Sequence, residues 1–292
     1  MLSILIPTYN YNVFSLVQEL YDQAVLLNIN FEIIVLDDGS TKFVEENSKI
    51  NSLDNCFFKV NSENFGRSKT RNLLAKNATY NWLLFLDADT FPKNNQFLAN
   101  YFHHIDDNFD AINGGIVYQE ESPEKNQLLR WKYGIEREAL SAEKRNDNPY
   151  LSFLTLNFLI RKDVFKAVSF NEEIPNLRHE DTLFSYELKK KNIQINHIDN
   201  PIIHNGLDTS ELFLKKSREA VENLYFLYKN ELISSDYVKL LKVSERIKSI
   251  GIKWFFKGIY KVFQKPLEKN LLSKNPSIYL FDFYRLCYLS SL

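Results

Sequence analysis

The sequence predicts an α/β protein, with a mostly parallel central sheet flanked by helices and a helical C-terminal appendage. Two observations carry the prediction. Short apolar runs alternate with amphipathic stretches through the first hundred residues, the rhythm of βαβ units. Strand signals then stop after Asn205-Gly206, where a stretch rich in Phe, Tyr, Leu and Lys begins. The 292 residues, 45% hydrophobic and 25% charged, exclude disorder as the main state and suffice to close a core without disulfides.

Residues 3–7 (SILIP) and 32–36 (EIIVL) are β-rich runs too short for helices. Between them Val13, Leu16, Val17, Leu20, Ala24 and Leu27 recur at helical spacing, which predicts a crossover helix over 13–28 with one buried face. The pattern repeats as a strand over 56–60, a helix over 66–76, a buried strand over 82–86 (WLLFL) and a helix over 92–104 opened by a proline in its first turn. Beyond residue 109, strands are expected at 111–118, 153–160 and 193–198, and helices at 127–142 and 181–191. Residues 209–290 read as about three helices. The chain thus divides into a body, 1–206, and a C-terminal region, 207–292.

Charge is divided unevenly between the two. Residues 1–206 hold 21 Lys+Arg and 28 Asp+Glu, whereas residues 207–292 hold 15 and 9. Lys253, Lys257, Lys261 and Lys265 recur every four residues beside Trp254, Phe255, Ile259, Val262 and Phe263. Such a helix can lie on an anionic membrane surface, or it can pack on the body with its lysines solvated. The acidic body and the lack of a recognition motif argue against nucleic acid. Two cysteines, Cys56 and Cys287, suggest a reducing compartment. With no secretory signal and no apolar run long enough to span a bilayer, the expected location is cytoplasmic.

Parallel sheets bind ligands outside the carboxyl ends of their strands. Three of those ends carry polar residues here: Pro7-Thr8-Tyr9-Asn10, Asp37-Asp38-Gly39-Ser40 and Asp87-Ala88-Asp89. An Asp-Gly-Ser run alone is ordinary turn chemistry. Two carboxylates two residues apart at the tip of WLLFL repel each other, and a hard divalent cation, Mn²⁺ or Mg²⁺, relieves that repulsion while binding substrate phosphates. Glu180-Asp181 opens a predicted helix, where acids cap favourably but also suit a general base. His204, after Pro201-Ile202-Ile203, is a candidate further metal ligand. Gly66-Arg67-Ser68-Lys69-Thr70-Arg71-Asn72 offers a helix start with three cations, fit for phosphate. No G-x-x-x-x-G-K-[ST] or G-x-G-x-x-G run occurs.

The order strand-P-T-Y-N, strand-D-D-G-S, G-x-x-x-x-R-N helix, strand-D-A-D and E-D pair resembles the glycosyltransferase family 2 enzymes of the GT-A fold, over residues 1–206. The resemblance implies inverting transfer of a sugar from a nucleoside diphosphate donor, a UDP-sugar first, to a saccharide or lipid-linked hydroxyl acceptor, in bacterial surface polysaccharide or glycolipid synthesis. Carried over by motif, Pro7, Thr8 and Tyr9 line the nucleotide pocket and Asp38 accepts the base N–H. Arg71 sits near the diphosphate, and Asp87 near the ribose or sugar. Asp89 binds the metal, with His204 as an extra ligand. Asp181 is the catalytic base, and Glu180 helps to orient the acceptor. Phe170-Asn171-Glu172 stands where the family often has Phe-Asp-Glu. A silent binding or assembly subunit would be expected to have lost an acid from D-A-D or E-D, and neither is lost. A sugar-phosphate nucleotidyltransferase lacks support because its N-terminal glycine-rich loop is missing.

Overall fold

A computed structural model describes residues 1–105, 108–174 and 178–292. The first strands form where the apolar runs predicted them: β1 (Leu2–Thr8), β2 (Phe31–Asp37), β3 (Cys56–Val60) and β4 (Trp82–Leu86). β1 lies between β2 and β4 and is parallel to both. Because side chains alternate across a strand, Ile4 and Ile6 join Leu84 and Leu86 on one face of the sheet, and Leu5 joins Leu83 and Phe85 on the other. Both faces are therefore apolar, as a sheet covered on two sides requires. The helix α1 (Phe14–Leu26) buries Leu16, Val17, Leu20 and Ala24 on the first face.

Among the described residues seven strands make the main sheet, in the order β3-β2-β1-β4-β8-β6-β9, with β6 (Ala111–Asn113), β8 (Asn157–Arg161) and β9 (Ile195–His197) completing it. β8 runs antiparallel to β4 and to β6, so the sheet is mixed, although mostly parallel. A second sheet, β5-β10-β7, joins β5 (Thr90–Pro92), β7 (Ile116–Val117) and β10 (Ile202–His204). The short helices α2 (Val44–Ser48), α3 (Arg67–Asn77), α4 (Phe97–Phe102), α5 (Leu128–Tyr133), α6 (Ala142–Asn146) and α7 (Lys162–Ala167) connect and cover these strands, and α8 (Glu180–Lys190) lies against the second face.

Four expectations need correction. Pro92 does not open a helix: it sits in β5 opposite Ile202, and the helix begins only at Phe97. The strand expected over 111–118 is broken by Gly114-Gly115, with Gly115 at φ +82, because the buried guanidinium of Arg145 fills the space where a Cβ would stand. The strand expected from residue 153 starts at Asn157, whose amide binds the carbonyls of Gly115 and Asn200 at 2.8 and 3.0 Å and ties the two sheets together. The C-terminal region, expected to hold about three helices, holds four: α9 (Ser210–Lys229), α10 (Lys239–Ser249), α11 (Lys253–Leu271) and α12 (Ile278–Ser291).

These helices share apolar clusters with the body. Leu129 of α5 packs among Phe213, Leu271 and Phe281, and Leu183 of α8 among Val221, Leu224 and Leu289. On α11 the outcome divides. Ile259, Tyr260 and Leu267 are at least partly buried, whereas Trp254 is 72% and Val262 68% exposed, with Phe255 and Phe263 also open to solvent. No helix among the described residues is long and apolar enough to cross a membrane. Both cysteines are free and buried.

Candidate active site

The order of the main sheet reverses between β1 and β4, and open α/β sheets bind ligands at such a switch point. The carboxyl end of β1 delivers Pro7, Thr8 and Tyr9 there, with Thr8 buried and Tyr9 53% exposed. Asn10, at φ +52, ties this end to the next: its N–H donates to Ser40 Oγ at 2.7 Å, and its Oδ1 accepts from the amides of Thr41 and Lys42 at 3.0 and 3.1 Å.

β2 ends in two buried acids with different tasks. Asp37 Oδ1 accepts from the Ser40 amide at 2.7 Å and shapes the turn. Asp38 accepts three hydrogen bonds, from Asn61 Nδ2 (3.0 Å), the Phe65 amide (2.9 Å) and the Gly66 amide (2.8 Å). The carboxylate thereby pins residues 61–66 at the start of α3, and with about four lone-pair sites it keeps room for one further donor.

β4 ends in Asp87-Ala88-Asp89. Arg71, buried in α3, donates from Nη2 to Asp87 Oδ1 at 2.7 Å and lies 5.3 Å from the Phe170 ring centre. Its Nη1 stands 3.9 Å from Glu180 Oε1, which also meets Arg67 at 3.2 Å. Burial raises the pKa of Glu180, but Arg67 and Arg71 outweigh it and hold the carboxyl below its usual value. Asp87, Arg71, Glu180 and Arg67 thus form one chain of charges linking β4, α3 and α8.

The pairing of β10 with β5 sets His204 opposite Thr90 and so next to Asp89, with Nε2 3.5 Å from Asp89 Oδ2. The Asn205 amide donates to the Asp89 carbonyl at 2.8 Å. Burial, joined by the Asp87 charge, raises the Asp89 pKa, and His204 opposes the shift. A Cβ at Gly206 would overlap the Asp89 carboxylate, so only glycine leaves that side of the acid open. Among the described residues no group of three or more His, Cys, Asp or Glu is placed to hold a metal ion. One carboxylate and one imidazole, with an unpartnered buried Nδ1 behind it, nevertheless suit Mn²⁺ or Mg²⁺, which typically complete their coordination with water and substrate phosphates.

Asp181 occupies the other side of Glu180. The helix start is reached through Arg178 and His179, both in the left-handed region at φ +85 and +68. Asp181 Oδ1 accepts from the Thr182 amide at 2.7 Å. Burial, then the neighbouring Glu180 charge, pushes its pKa up to about 6, in the range useful to a base at neutral pH. It lines a cavity of about 880 Å³ together with residues of α9, α10 and α12. Of the ten residues picked from the sequence, Asp181 lines this cavity, and the other nine lie toward the strand ends. Sequence reasoning missed Gly206, Arg67 as the partner of Glu180, and the helices that wall the cavity. A signal was available for the first alone, since Gly206 closely follows His204.

Acids and cations thus gather at the switch point of an open α/β sheet, where such sheets bind ligands. The chain belongs to glycosyl transferase family 2, whose sequence profile matches residues 3–169. It is 25% identical over 201 residues to an uncharacterised glycosyltransferase of Haemophilus influenzae, covering 65% of this chain and 72% of that one. It is 26% identical over 132 residues to an uncharacterised glycosyltransferase of Rickettsia conorii, covering 39% of this chain but only 22% of the relative's length. The fold is shared with the mannosyltransferase PcManGT from Pyrobaculum calidifontis, solved with GDP-Man and Mn²⁺, at a TM-score of 0.62 and 12% identity over 99% of this chain and 85% of that one. S. aureus TarS 1–349 in complex with UDP gives 0.53 at 20% identity, over 99% and 90%.

Proposed function

We propose that the protein is an inverting, metal-dependent glycosyltransferase, moving a sugar from a nucleoside diphosphate donor to a hydroxyl acceptor in surface polysaccharide or glycolipid synthesis. The observation that carries this reading is the pair Glu180-Asp181. One acid is held ionised by two arginines on the side of the strand ends, and the other has a raised pKa and faces a separate cavity. A UDP-sugar is the first donor to test, supported by the TarS structures with UDP and UDP-GlcNAc.

The chemistry follows from these positions. An acceptor hydroxyl in the cavity gives its proton to the Asp181 carboxylate, and its oxygen attacks the anomeric carbon. The bond from that carbon to the diphosphate oxygen breaks in the same displacement, and the electron pair leaves with the nucleoside diphosphate. A positioned base contributes roughly 10²- to 10⁴-fold. Pro7, Thr8, Tyr9 and Asp38 bind the nucleoside, with Asp38 taking the base N–H at its remaining lone pair. Arg71, buried and paired with Asp87, fixes Asp87 against ribose or sugar and stabilises Glu180. Asp89 and His204 are the residues that would hold a cation, and when bound it would supply neutralisation of the charge on the departing diphosphate. Glu180, tied to Arg67 and Arg71, holds the first turn of α8 and so positions Asp181 for the acceptor.

A peripheral contact with an anionic membrane is the companion reading, supported by the exposed aromatics Trp254, Phe255 and Phe263 beside exposed Lys257, Lys261 and Lys265. It suits a lipid-linked acceptor and a site on the inner membrane face. The test of the catalytic reading is release of nucleoside diphosphate from UDP-GlcNAc, UDP-glucose and GDP-mannose in the presence of Mn²⁺. Turnover of one of them, abolished by Asp181→Asn, is the expected result. Absence of turnover with all three, while UDP still binds, would favour a silent assembly subunit.

A further inference from the structure

We propose that the cavity beside Asp181 binds an acceptor bearing a phosphate group, held by Arg178 and Arg285. This deepens the reading of Asp181 as the base and rests on it. The argument is a balance of charges around the wall. The acids Glu138 and Asp282 are paired with Arg130 and Arg137, each at 3.0 Å. The cation Lys216 is paired with both oxygens of Asp208, at 2.7 and 2.9 Å. Lys239 is exposed at the margin. The guanidinium groups of Arg178 and Arg285 remain, both partly buried and neither in a hydrogen bond or ion pair with a described residue, Asp181 included.

Arg285 Nε is buried with no partner, and its guanidinium stands 5.6 Å from the Phe281 ring centre. Burial first, then the Arg67 charge, lowers the pKa of Arg178, against the opposing charges of Asp208 and Glu180. His179, which lines the same cavity, is kept neutral: burial first, then Arg285, brings its pKa down to about 4. It leaves Nε2 buried and unpartnered, while Nδ1 meets Thr182 Oγ1 at 2.9 Å. A neutral saccharide leaves two such cations uncompensated, which is costly once the saccharide displaces water from around them. A phosphate satisfies both, because its oxygens match the fork of guanidinium donors. An acceptor hydroxyl a few bonds from that phosphate then lies in the same cavity as the Asp181 carboxylate.

The probe is sn-glycerol 3-phosphate, with glycerol as its neutral counterpart, titrated calorimetrically into the full chain saturated with UDP and Mn²⁺ so that the donor side is filled. Wild type is expected to bind the ester and not glycerol. Arg178→Gln and Arg285→Gln should each weaken the ester by about tenfold or more, with Lys59→Gln unchanged and UDP binding retained by all. Phosphatidylglycerol in neutral detergent micelles, competing with the ester, would mark a lipid headgroup as the source; failure to compete would mark a free ester. The proposal is overturned if the ester binds no better than glycerol, or if both arginine variants bind it as wild type does. UDP binding by wild type, read first, tests the donor reading separately.

Discussion

The two sides of the Glu180-Asp181 pair differ in how completely their charges are compensated. Toward the strand ends nearly every charge has a partner within the chain: Arg71 with Asp87, Arg67 with Glu180, Asp89 with His204, Asp38 with three donors. Toward the cavity the pairing is incomplete: Glu138, Asp282 and Lys216 have partners, but Asp181 has a raised pKa and Arg178 and Arg285 form no ion pair with a described residue. The first arrangement is fixed before any ligand arrives, as preorganised electrostatic stabilisation requires. The second leaves its charge for the acceptor to balance. The difference also follows chain order, because strand ends close in sequence build the first side and helices from the far end of the chain wall the second.

Several substitutions can break or sharpen that contrast. The largest effect is expected from Asp181→Asn, which should lower transfer by roughly 10²- to 10⁴-fold and leave UDP affinity unchanged. Arg71→Ala comes next: it strands Asp87 and leaves Glu180 with Arg67 alone, and unfolding by denaturant should show a loss of about 3 kcal/mol. If stability is instead unchanged, the ion-pair chain is not what fixes the donor side. Gly206→Ala displaces the Asp89 carboxylate and should weaken Mn²⁺-dependent UDP binding by about tenfold, a loss of roughly 1.4 kcal/mol, while UDP binding without metal stays the same.

A further effect tests the cavity side through stability. The Asp181 pKa is raised from 3.8 to about 6 on folding, so the folded state binds the proton more tightly than the unfolded chain does. That contribution is fully present below pH 3.8 and is lost as pH rises through about 6. Asp181→Asn should therefore stabilise the fold at pH 8 relative to wild type, by up to about 3 kcal/mol, and leave stability unchanged near pH 3.5. The smallest effect lies on α11, where Trp254→Ala should change stability by less than ~0.5 kcal/mol. Reversing Lys257, Lys261 and Lys265 to Glu should abolish sedimentation with phosphatidylglycerol vesicles, each cation being worth about 1 kcal/mol at such a surface. Equal sedimentation of wild type and the triple variant would remove the membrane reading and leave the site untouched.

Much of the donor side was legible because local signals agree there. WLLFL has few ways to fold other than as a buried strand, and the acids at its tip must then stand at the sheet edge. Glu180-Asp181 was visible as a helix start. What escaped depends on pairings between distant residues. Pro92 is an acceptable helix opener by local preference, and its place in β5 is decided by β10, more than a hundred residues later. The Gly114-Gly115 break is set by Arg145, a buried cation whose carbonyl partners no local pattern reveals. The exposure of Trp254 and Val262 follows from which side of α11 meets α12, and an amphipathic pattern with apolar residues on several faces does not specify that side.

The central claim is that donor and acceptor chemistry are separated across the Glu180-Asp181 pair. Calorimetric titration of UDP with and without Mn²⁺ into wild type, Asp89→Ala and Asp181→Asn tests it most directly. The account predicts metal-dependent binding in wild type and in Asp181→Asn and its loss in Asp89→Ala. Equal loss in both variants, or full retention in Asp89→Ala, would contradict it.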